Sequence, residues 1–76
     1  MHDAWIGGER NLTIHPSAIV HPDARLAKDV TIGPYALIGE QVEIGAGTSI
    51  GAHAIIEGRT RLGRNNRVFA HAVLGG

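Results

Sequence analysis

Seventy-six residues make one small domain, near the lower limit at which a single core is stable. Seven basic residues balance seven acidic ones with no basic run, which argues against nucleic acid or an anionic membrane as the partner. The absence of cysteine excludes disulfides and thiolate metal sites, and no apolar run approaches the roughly 20 residues of a membrane helix.

The opening Met1-His2-Asp3-Ala4-Trp5 has neither a charged leader nor an apolar signal segment, so a cytoplasmic protein without membrane insertion is expected. Residues 1–11 are read as a leader. Trp5-Ile6 forms a short apolar patch there, and Gly7-Gly8-Glu9-Arg10-Asn11 a loop. A leader lying over the first coil would cap its unpaired strand groups. The alternative is boundary sequence with no structural duty.

Residues 12–76 carry a single repeat. Stepping by six from Ile14 gives Ile14, Val20, Leu26, Ile32, Ile38, Ile44, Ile50, Ile56, Leu62, Val68 and Leu74, all aliphatic and in phase. A fixed short period of this kind marks a hexapeptide β-solenoid. Two places earlier come mostly small residues, among them Ala18, Ala24, Ala36, Thr48 and Ala54. Residues two apart share a strand face, so each hexad points one large and one small side chain inward. Glycine recurs one place after the aliphatic, at Gly33, Gly39, Gly45, Gly51, Gly63 and Gly75, and is expected to turn the corner where a Cβ would be costly. Pro16, Pro22 and Pro34 fall one place later, inside the turns. A helix would need period 3.6 and would be broken by these residues.

The outward positions supply the coil length. Ile19, Leu37, Ile55 and Val73 lie 18 apart and are all apolar. The equivalent slots of the other faces hold Thr13, Thr31, Ser49 and Arg67, and Arg25, Glu43 and Arg61. The pattern predicts an all-β prism with three hexads, or 18 residues, per coil and about three and a half coils. Its one greasy outer stripe, Ile19/Leu37/Ile55/Val73, is the candidate surface for self-association. Three triangular prisms close around a three-fold axis.

Several stretches are similar to the first coils of the bacterial UDP-N-acetylglucosamine acyltransferases of lipid A biosynthesis. They are Ile14-His15-Pro16-Ser17-Ala18-Ile19-Val20, Ile32-Gly33-Pro34-Tyr35, Val42-Glu43-Ile44-Gly45-Ala46-Gly47-Thr48 and the run from Gly58 to Phe69. The resemblance implies a left-handed parallel β-helix and a homotrimer. It also implies acyl transfer from acyl carrier protein to a UDP-sugar, with a histidine as general base. In that family the catalytic histidine and substrate contacts lie in later coils, so no catalytic residue is carried over. The chain alone is expected to be inactive, with acyl carrier protein and UDP-sugar as partners only of a longer enzyme. Ala70-His71 stands where the family commonly has Gln-Phe. The alternative reading is a non-catalytic, self-assembling β-helix module.

His53 and His71, 18 apart with Tyr35 one coil before them, are the weak candidates for a metal site, a remote reading of γ-carbonic-anhydrase type. No cofactor is expected. His15 and His21, each before a proline, are read as turn residues. Asn66 falls in an inward slot, where a buried amide must be paired, and is expected to bond backbone at a corner. Arg59, Arg61, Arg64 and Arg67 are read as solvated surface, with an acyl-carrier-protein or phosphate contact behind it.

Overall fold

The computed structural model describes residues 11–75. Eleven short strands follow one another: β1 (Thr13–Ile14), β2 (Ile19–Val20), β3 (Arg25–Leu26), β4 (Thr31–Ile32), β5 (Leu37–Ile38), β6 (Glu43–Ile44), β7 (Ser49–Ile50), β8 (Ile55–Glu57), β9 (Arg61–Leu62), β10 (Arg67–Val68) and β11 (Val73–Gly75). Each pairs in parallel with the strand three places on, giving sheets β1-β4-β7-β10, β2-β5-β8-β11 and β3-β6-β9. Register partners such as Ile14↔Ile32, Ile38↔Ile56 and Ile44↔Leu62 are one 18-residue coil apart. The chain is therefore a three-faced parallel solenoid, as the hexads require.

The core is the stack of inward aliphatics. Ile32, Ile38, Ile44, Ile50 and Ile56 are almost wholly excluded from solvent, with Val30, Ala36, Val42 and Ala54 filling the space between them. End rungs are less covered. Ile14 is 39% exposed, and Leu62 and Leu74 are half-buried. Of the leader read over residues 1–11, residues 1–10 lie outside the described residues, and Asn11 is described.

The corners are built differently from the sequence expectation. Among the recurring glycines only Gly75 has a positive φ. The left-handed conformation falls two places later, at Tyr35, His53 and His71 on one corner and at Asn11, Asp29, Gly47 and Asn65 on another. Both columns repeat every 18 residues. Their backbone N–H groups reach the coil below: His53 donates to the Pro34 carbonyl, His71 to Ala52, Gly47 to Lys28 and Asn65 to Ala46. Those bonds offset a conformation that costs a non-glycine residue roughly 1–3 kcal/mol.

The preceding glycines answer to space instead. A Cβ on Gly45 would lie 2.6 Å from the Gly63 carbonyl carbon, and one on Gly51 would lie 2.6 Å from the Ala70 nitrogen. Both clashes are with backbone of the coil above, which cannot move without opening the ladder. Gly39 is roomier, its nearest neighbour being Glu57 Cα at 3.4 Å. Gly45→Ala should therefore cost about 1–3 kcal/mol or more, the usual range for overpacking. Gly39→Ala should be close to neutral. Urea unfolding of the two variants side by side checks the difference, and equal midpoints would contradict it.

Thr48 is the buried polar side chain among the described residues, and it is fully paired. Its hydroxyl donates to the Gly63 carbonyl at 2.8 Å and accepts from the Asn66 N–H at 3.2 Å. Asn66, the next residue in the same inward column, departs from expectation: it is exposed. It sits in the last described coil with no further coil packed over it. Its amide lies beside Gly63 and does not have to be buried and paired.

Candidate functional site

Three features of the surface bear on function: an apolar stripe, an aromatic corner column and a charged face. The stripe lies on the sheet β2-β5-β8-β11. Ile19, Leu37, Ile55 and Val73 are direct register partners up that sheet, so their side chains form one continuous column. Alternation puts them on the outer face, opposite the buried Ile38 and Ile56. Ile19 is 64% exposed, Val73 63% and Leu37 36%, while Ile55 is half-buried.

Next to the stripe, at the corner leading into the same sheet, stand Tyr35, His53 and His71. Shared left-handed backbone presents them in the same way on successive coils. Their rings stack: Tyr35 and His53 have centroids 5.1 Å apart at 14°, and His53 and His71 are 5.0 Å apart at 7°. The column starts one coil below with Ser17, which has no ring. Its hydroxyl accepts the Tyr35 N–H at 3.0 Å in place of a backbone carbonyl. No group of three or more metal-ligating side chains occurs among the described residues.

His15 and His21 do serve their turns. Each Nδ1 accepts a backbone N–H two residues on, from Ser17 at 3.1 Å and from Asp23 at 3.0 Å. Ser17 Oγ also lies 2.8 Å from His15 Nδ1, and His21 Nε2 lies 3.6 Å from Glu40. Their rings thus replace the side-chain oxygens that Asx turns use.

The third face carries charge. Arg25, Glu43 and Arg61 are register partners, and Arg61 Nε donates to Glu43 Oε1 at 3.1 Å. Arg61 is well exposed and Glu43 half-buried, so this surface pair contributes little to stability. An open groove on this face is lined by Asp23, Arg25, Gln41, Glu43 and Arg59, with no arrangement of nucleophile, base and orienting group. Arg59, Arg61, Arg64 and Arg67 are all exposed, and the coil distributes them over different faces and corners.

The structure stacks both the stripe and the histidine column on successive coils, as the 18-residue coil requires. Sequence reading missed the left-handed corners. Their signal was nevertheless present, since Asn11, Asp29, Gly47 and Asn65 are residues that tolerate positive φ at an 18-residue spacing.

Comparison with known proteins gives the geometry a relation. Residues 11–46 match the family model described as bacterial transferase hexapeptide (six repeats). A search of curated protein sequences gave no match. Among solved structures, UDP-N-acetylglucosamine acyltransferase from Campylobacter jejuni is 38% identical with a TM-score of 0.82, over 83% of this chain and 25% of that one. LpxA from Acinetobacter baumannii is 53% identical with a TM-score of 0.73, over 75% of this chain and 22% of that one. The chain thus spans about a quarter of the length of these relatives. Among the described residues no helix is long and apolar enough to cross a membrane. The chain is a hexapeptide-repeat β-helix, similar in sequence and in fold to the UDP-N-acetylglucosamine acyltransferases over three quarters or more of its length.

Proposed function

We propose that the chain is the N-terminal solenoid of an acyltransferase of the UDP-N-acetylglucosamine type, a scaffold that assembles and carries no chemistry of its own. The observation that carries this reading is the 53% identity to the Acinetobacter protein, confined to 22% of that protein's length. Assembly is a cytoplasmic homotrimer of left-handed coils, with Ile19, Leu37, Ile55 and Val73 at the contacts. The exposed, continuous column of these side chains supports that role. Acyl carrier protein and the UDP-sugar are partners of the longer enzyme, whose later coils supply the general base and the substrate contacts.

Two assays test the reading together. The isolated chain, mixed with hydroxyacyl-acyl carrier protein and UDP-N-acetylglucosamine, should show no turnover above background. A chimaera in which residues 12–75 replace the matching coils of the Acinetobacter protein should transfer acyl groups. Turnover by the isolated chain would overturn the scaffold reading. A folded chimaera without turnover would favour a non-catalytic assembly module, which needs only the stripe.

A further inference from the structure

We infer that His53 and His71 form a chelating pair for one divalent transition-metal ion of the imidazole-binding kind. The site does not depend on the acyltransferase reading. The two residues occupy the same corner on adjacent coils, with φ of 62° and 66°, so their side chains leave the backbone in parallel. Their rings lie 5.0 Å apart, close to one rung of the solenoid. Both residues are exposed.

What separates this pair from the other described histidines is that its nitrogens are uncommitted. Each of His15 and His21 spends Nδ1 on its own turn. Neither His53 nor His71 uses a ring nitrogen in a hydrogen bond or ion pair, and their ring contacts are only those of the stack. Two imidazoles with no ring nitrogen committed elsewhere, held one rung apart, are the solenoid's equivalent of two histidines one turn apart on a helix.

The coordination geometry is within reach. Metal–nitrogen bonds of about 2.0–2.1 Å at a tetrahedral or square-planar centre set the two nitrogens roughly 3–3.4 Å apart. Nearly parallel rings point their lone pairs side by side, so the nitrogen edges must tip together to meet one ion. Binding therefore exchanges the His53–His71 stack for two metal–nitrogen bonds. The ion's remaining positions go to water, which makes the site open and exchangeable. A bound ion would also tie the third coil to the last.

Titration of the full chain with Ni²⁺, followed by calorimetry and by the histidine ring NMR signals, tests this directly. The expected result is one ion per chain, with the His53 and His71 signals perturbed together. His71→Asn keeps a residue that tolerates positive φ and removes the ligand. It should weaken binding by about a hundredfold, the usual scale for losing one of two linked contacts. His53→Asn should do the same, whereas His2→Ala and His15→Ala should leave the affinity unchanged. Three results would overturn the proposal: no uptake by the unaltered chain, perturbation of only one of the two rings, or wild-type affinity in a folded His71→Asn or His53→Asn variant. Loss of binding in His2→Ala would overturn it as well.

Discussion

Ile44→Ala should lower the unfolding free energy by about 2–5 kcal/mol, the range for deleting a large aliphatic from a packed core. Ile44 is fully buried, and it sits in the middle of its ladder with Leu26 below and Leu62 above. Removing its outer carbons leaves a void that neither neighbour can fill, since both are held by their own strands. A domain of this size is stabilised by only about 0.05–0.15 kcal/mol per residue, so the loss is a large share of the total. Ile14→Ala is the internal comparison. Ile14 is chemically the same rung element but is 39% exposed at the end of the stack, so its truncation should cost well under half as much. Urea midpoints of the two variants would measure the gradient. Equal losses would mean that the ladder is not a core with a covered centre and open ends.

The second large effect concerns assembly. Leu37→Lys combined with Ile55→Lys should convert the proposed trimer to monomers while leaving the β signal in circular dichroism unchanged. Both side chains point outward from their sheet, so the inward neighbours Ile38 and Ile56 keep their packing. At a subunit contact each apolar side chain contributes roughly 1.5–3 kcal/mol when fully buried. In the proposed trimer the lysines would not only remove that term but also place like charges near one another around its axis. Sedimentation velocity at micromolar concentration would show the fall in mass. A variant that loses its β signal along with its mass would locate these residues in the fold and not in the contact.

Most of the fold was legible because a solenoid writes its geometry into the sequence at short range. Ile14 to Leu74 at steps of six gave the inner ladders, and the repeat of Ile19, Leu37, Ile55 and Val73 gave the coil length. Each strand pairs with its own repeat, so no long-range pairing had to be guessed. The corners were less legible because glycine has two reasons to occur and sequence does not say which applies. At Gly45 and Gly51 the reason is the close approach of the coil above, whereas the change of chain direction falls on Tyr35, His53, His71 and the Asn/Asp/Gly column. Asn66 shows another limit. The inward slot was read correctly, but a slot is buried only where a further coil covers it, as it does at Thr48 and not at Asn66. The candidate site was legible as a set of positions. The stacking of its rings depends on side-chain torsions that spacing does not specify.

Sedimentation equilibrium of the unaltered chain tests the central claim most directly, because a scaffold that assembles needs the exposed stripe to find its own copies. The predicted mass is three times the 8.0 kDa of the chain, held across the micromolar range. A single species at 8.0 kDa over the same range would contradict it, and would leave Ile19, Leu37, Ile55 and Val73 as an apolar surface without a partner among copies of this chain.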